Sequence, residues 1–300
     1  MRFFWTITSL VVALIAGGIY VIQPLPGGKA RDAVGVRQTI ERDGRSIVYF
    51  TQGAGPRIAL AASAGREASD FNELSDALVA AGFRTVAVEA PGIGGTDLPK
   101  KPFSLYDLAD DINAVLTADR KTVGGAKTVL VGHAFGNRVM RATAQRYPNG
   151  IKGIALIAAG GAAPVPEKAA QALRNCFDPL RTGSQRTEDV RYAFFALENG
   201  IPDYWLRGWH GKTAVLQGRA TPNTEGEDWQ SGGQAPMLII QGVQDRIAPK
   251  KDAADHLADT FGDRVEVVLA DPAGHALLPE QPELIADSIV KFATSVFESE

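Results

Sequence analysis

From about residue 34 onward the chain alternates short β-rich runs with amphipathic helical runs, and this alternation limits the fold more than any other feature. Residues 45–50, 57–62, 84–89, 127–132, 153–158, 237–241 and 265–269 read as strands. Several are nearly unbroken apolar runs, as strands buried on both faces of a parallel sheet require. Between them, residues 69–81, 104–118, 135–146, 250–261 and 282–297 carry helical periodicity and starting signals. The spacing predicts an α/β fold on a mainly parallel sheet.

Composition narrows the function. With 45% apolar and 22% charged residues, the chain is neither a disordered tail nor a multi-span membrane protein. A net charge of −3 leaves no electrostatic footprint for nucleic acid. The single cysteine, Cys176, excludes an internal disulfide and any paired-cysteine metal or redox motif. His133, His210, His256 and His275 lie too far apart to read as a local zinc motif, so no metal and no cofactor is expected.

Two segments depart from the α/β rhythm. Residues 3–22 carry no charge and, as a helix, would span about 30 Å, the thickness of a bilayer's hydrocarbon core. They predict a single N-terminal membrane span with the domain outside the cytoplasm, residues 1–33 forming anchor and tether. The alternative is a cleaved secretory signal. Residues 162–235 hold no strong core strand, only helical segments with Trp205, Trp209, His210 and Trp229. So long a connection must carry its own structure. It reads as a helical cap over a core of 34–161 and 236–300, with Trp205 and Trp209 expected to line a substrate cavity.

The strand at 127–132 runs straight into Gly132-His133-Ala134-Phe135-Gly136, and a helix follows at once. This is the strand–turn–helix context of the nucleophile elbow, G-x-S-x-G, with alanine where the serine stands. A methyl group cannot attack a carbonyl. Asp245 sits in the loop after a buried strand, and His275 in the loop before the final helix. An acid accepting from one imidazole nitrogen fixes the tautomer and leaves the other as a base.

The order elbow, acid, histidine resembles the α/β-hydrolase family from about residue 35 to the C-terminus. The Pro91-Gly-Ile-Gly-Gly-Thr turn and Asp70-Phe-Asn-Glu-Leu contribute to the likeness. The Gly92-Ile-Gly94-Gly95 spacing does not fit a dinucleotide fingerprint. The resemblance implies an eight-stranded sheet, a strained backbone at Ala134, and an oxyanion hole from the Ala64 and Phe135 amides. The loop that is His-Gly-x-Pro in the family reads Ala62-Ser63-Ala64-Gly65-Arg66 here, with Arg66 expected to be solvated.

Ser63 has no signal placing it at the elbow tip, and Cys176 reads as a small buried residue. His133 is expected as a wall of the substrate site. Acyl-enzyme chemistry at Ala134 is excluded. What remains is hydrolase-like action on a small apolar ester or amide through an Asp245–His275 base. The alternative is a pseudoenzyme that binds a small ligand or a protein partner.

Overall fold

In the computed structural model, eight strands form one sheet. They are β1 (Val36–Arg42), β2 (Arg45–Gly53), β3 (Arg57–Ala61), β4 (Arg84–Val88), β5 (Thr128–His133), β6 (Ile151–Ile157), β7 (Met237–Gly242) and β8 (Val265–Ala270). Their order is β8-β7-β6-β5-β3-β4-β2-β1. The strands from β3 to β8 pair in parallel, whereas β2 pairs antiparallel with both β1 and β4. The structure describes residues 27–299 except 101, 126, 161, 162 and 227. It adds Leu14–Ile15 and Gly18–Ile19, which pair outside this sheet. The rest of the span expected at 3–22 lies outside the described residues. No described helix is long and apolar enough to cross a membrane.

Because side chains alternate along a strand, the apolar runs feed two cores. Ala59, Val86, Leu130, Leu156 and Ile239 pack on one face with α2 (Leu105–Val123) and α3 (Phe135–Arg146). Ile58, Ala87, Val131, Ile157 and Ile240 pack on the other with α1 (Asn72–Ala80) and α9 (Pro282–Glu298). Ser104 begins α2 with a capping box, its side chain accepting from Asp107 N while Asp107 accepts from Ser104 N.

Several boundaries differ from the sequence reading. The helix expected from 69 starts as a 3-10 turn and becomes α-helical at Asn72; the one expected to stop at 118 runs to Val123. Residues 250–252 form another 3-10 turn before α7 (Ala254–Phe261). Strand β1 was not expected. Its residues are mostly exposed, so it lacks the burial signature of the other strands; pairing with β2 holds it.

Between β6 and β7 lie α4 (Glu167–Cys176), α5 (Gly183–Phe194) and α6 (Gly211–Ala220), with short 3-10 turns at Asp203–Leu206 and Asp228–Ser231. Phe194, Phe195, Trp205 and Trp209 bind this layer into a third apolar cluster that includes Ile247 and Ala276 of the core. A four-residue helix, α8 (Leu277–Glu280), follows His275.

Candidate active site

Strand β5 ends at His133, and α3 begins two residues later at Phe135. So sharp a reversal requires close approach of backbones: a side chain on Gly132 would overlap Gly136, and one on Gly136 would overlap the Ala61 carbonyl. Between them Ala134 takes φ 50°, ψ −108°. Such a conformation costs a non-glycine residue about 1–3 kcal/mol and persists only where surroundings over-determine it. Here the Ala134 amide donates to Ile157 O at 2.9 Å, and the Asn137 side chain donates to the same carbonyl at 2.8 Å.

Asp245 lies just beyond β7. Its Oδ1 accepts from the Ile247 and Ala248 amides at 2.9 and 2.8 Å, and its Oδ2 accepts from Gln241 Nε2 at 2.9 Å. That Oδ2 also meets His275 Nδ1 at 2.8 Å. Both residues are buried. With Nδ1 directed at the carboxylate, Nε2 is the nitrogen left to act on a ligand, and His275 borders the same cavity as Ala134.

That cavity holds about 600 Å³ between the sheet and the helical layer. Ser63, Ala64, Ala134, Phe135 and His275 border it from the core, and Leu173, Phe177 and Val215 from the helical layer. The Ala64 and Phe135 amides donate to no protein acceptor among the described residues, which leaves both available to a ligand oxygen. Among the same residues, no three metal-ligating side chains gather.

The loop carrying Ala64 is fixed from several sides. Gly65 N donates to Gln217 Oε1 of α6 at 2.7 Å, and Gly65 O accepts from His210 N at 2.9 Å. Glu67 accepts from His210 Nε2 at 2.8 Å and from the Ala30 amide. Burial alone would raise this carboxyl, but those hydrogen bonds hold it below its ordinary range. Arg66, expected to be solvated, is fully buried. It pairs with Asp70 at 2.7 Å and lies over the rings of Trp205 and Trp209 at 4.6 and 4.7 Å. Arg66 and Asp70 are four residues apart and both buried, and each neutralises the other's charge.

The three residues expected to contact substrate are placed elsewhere. His133, Trp205 and Trp209 are all buried and none borders the cavity. Trp205 packs among Phe194, Phe195 and Trp209, and the Trp209 indole donates to Trp205 O at 2.7 Å. His133 stands behind the site, its Nε2 donating to the His275 carbonyl at 2.8 Å. Burial lowers His133 to about 4, so it supports the His275 loop as a neutral ring. Cys176 is buried, which pushes its thiol up and leaves it unreactive. A residue that the sequence reading passed over, Arg138 of α3, borders the cavity.

The family model described as alpha/beta hydrolase fold matches residues 60–282. Protein ABHD8 of Bos taurus is 23% identical over 287 residues, covering 89% of this chain and 63% of its own length. Against the mouse protein of that name the covered share is 54%, so the chain spans between about half and two thirds of these relatives. A 2-(acetamidomethylene)succinate hydrolase of Mesorhizobium japonicum is 27% identical over 230 residues, covering 70% of this chain and 78% of its own. Among solved structures, the serine-to-alanine mutant of a meta-cleavage product hydrolase from Pseudomonas fluorescens superposes with a TM-score of 0.71. It is 20% identical, with 86% of this chain and 97% of that one covered, a likeness of fold. The chain belongs to the alpha/beta hydrolase fold family, with alanine at the tip of its elbow.

Proposed function

We propose that this protein hydrolyses a small, largely apolar ester or amide by general-base catalysis, without an acyl-enzyme. The 2.8 Å bond between His275 Nδ1 and Asp245 is the observation that carries the reading. It supports a base whose tautomer and orientation are fixed, beside an elbow that lacks a nucleophile. Water would lie where a serine oxygen would otherwise be, against the methyl of Ala134. His275 Nε2 takes its proton as the hydroxide adds to the substrate carbonyl. The new oxyanion accepts from the Ala64 and Phe135 amides. The intermediate then collapses, and the imidazolium returns the proton to the leaving oxygen or nitrogen.

A positioned base contributes about 10²–10⁴ in rate. The test is turnover of a panel of nitrophenyl esters and anilides by the wild-type protein, His275→Ala and Asp245→Asn. Loss of activity in both variants, with no burst of acylation in the wild type, is the expected result. Turnover insensitive to His275 would overturn the proposal. The second reading is a ligand-binding protein without turnover; Ala134 is the feature that favours it. A binder would show saturable ligand stabilisation and no His275-dependent product.

We also propose that residues 3–22 anchor the chain in a membrane, with the domain outside the cytoplasm, the alternative being secretion after signal cleavage. Carbonate extraction followed by protease protection of membrane vesicles distinguishes the two.

A further inference from the structure

We infer that the cavity takes a ligand bearing a carboxylate, seated on Arg138. The catalytic part of this inference rests on the hydrolytic reading above, but the anion seat is a binding property and can be tested without turnover. Arg138 lies four residues after Ala134, in the first turn of α3. It borders the cavity together with Ala134 and Phe135.

The buried guanidiniums of this chain are held in two ways. Arg45 pairs with Asp111, Arg57 with Asp119 and Arg66 with Asp70, at 2.7, 2.5 and 2.7 Å. Two other buried guanidiniums, Arg141 and Arg186, lie against several backbone carbonyls instead, since a buried charge must be paired or hydrogen-bonded. Among the described residues Arg138 has no carboxylate within 4.0 Å. Its hydrogen-bond partner is neutral: Thr221 Oγ1, at 3.0 Å from Nη1. A guanidinium carries five N–H donors, and among the described residues this bond engages one of them.

Among the described residues the neighbouring charges do not neutralise it. Arg141, three residues further along α3, is buried against the carbonyls of Asn137, Gln230 and Gly160 and the ring of Trp229. Among the described residues it has no carboxylate within 4.0 Å either, so it adds a second cation. Asp252, the acidic residue bordering the cavity, is exposed. Arg174, the other cation there, is paired with Glu167. Burial lowers the Arg138 pKa, the direction expected for a charge held without a partner, and an arriving anion would relieve that penalty.

The rest of the lining is apolar, with Leu173, Phe177, Val215 and Ile247 among it. The ligand is therefore an apolar body with one anionic end. Arg138 and Ala134 border the same cavity of about 600 Å³, so the carboxylate and the reacting carbonyl belong to one small molecule. The substrate class that fits is a half-ester or half-amide of a short dicarboxylic acid, or an N-acyl amino acid.

The test is calorimetric titration of the purified protein with 4-phenylbutanoate and its neutral counterpart, 4-phenylbutanamide. The carboxylate should bind about tenfold tighter or better, the scale of one charge-assisted bond. Arg138→Gln should remove the preference, while His275→Ala should keep it. Equal or tighter binding of the amide, or no binding of either probe, overturns the inference whatever the turnover assays find. A preference that survives Arg138→Gln, or that disappears in His275→Ala, places the anion elsewhere and overturns it equally. The wild-type comparison needs no substitution, so poor folding of the glutamine variant cannot shelter the proposal. Carboxylate preference without His275-dependent turnover would sink the hydrolytic reading and leave the seat standing.

Discussion

Gln217 Oε1 accepts the Gly65 N–H at 2.7 Å, so one buried hydrogen bond joins the helical layer to the loop that presents the Ala64 amide. Removing the acceptor strands a buried N–H, at about 1–3 kcal/mol. Gln217→Ala should lower the melting temperature and weaken ligands that use the Ala64 amide. Gln217→Glu, which keeps an acceptor oxygen, should recover part of both. Unchanged melting and ligand affinity in the alanine variant would show that the loop is held without this bond.

Ala134 already occupies the left-handed conformation that an elbow residue needs, so a hydroxyl can be added there without rebuilding the turn. Ala134→Ser should react with a fluorophosphonate probe, and the wild type should not. Adding His275→Ala to the serine variant should suppress labelling, because an unassisted hydroxyl is a weak nucleophile. Labelling of the wild type would reveal another nucleophile, with Ser63 the first to examine.

Glu89 should make stability depend on pH. Burial raises its carboxyl from an ordinary 4.5 to about 8. Between these values the folded chain retains a proton that the unfolded chain has lost, so stability falls as pH rises, by up to about 1.4 kcal/mol per unit. Below 4.5 both states are protonated and the contribution is constant. Glu89→Gln keeps an oxygen for the Ala68 amide, which Glu89 accepts at 3.0 Å, and should flatten this part of the curve. Urea titrations from pH 5 to 8 measure it; parallel curves for the two proteins would refute the assignment.

Trp205 is wholly buried and touches Phe194, Phe195, Trp209 and the Arg66 guanidinium. Trp205→Ala should cost about 3–5 kcal/mol. The milder Trp205→Phe should retain the fold and bind cavity ligands with wild-type affinity, since Trp205 does not border the cavity. A large affinity loss in a phenylalanine variant of near-normal stability would return Trp205 to the binding surface.

Legibility in the sequence followed burial. Strands such as Val129–Val131 and Ile154–Ile157 are apolar on both faces and announce themselves. Val36–Arg42 is an edge strand with mostly exposed side chains, and the sole hint of it was Asp43-Gly44. Those two residues, both at positive φ, form the two-residue turn that pairs Arg42 with Arg45. Asp245 and His275 could be read because their loops have a fixed order relative to the elbow. Trp205 and Trp209 could not, since an aromatic cluster does not declare which side of it is hollow. Arg66 was misread although Asp70 stands four residues on, the spacing of a helical ion pair. Arg138 resembles a solvated helical residue until the cavity it borders is seen.

The backbone at Ala134 also bears on heredity. Every alanine codon becomes a serine codon by one substitution at its first base. The left-handed turn, the oriented imidazole and the two unoccupied amides are already assembled around that residue. A gene encoding this chain therefore stands one point mutation from a hydroxyl at the elbow, on a residue that borders the cavity.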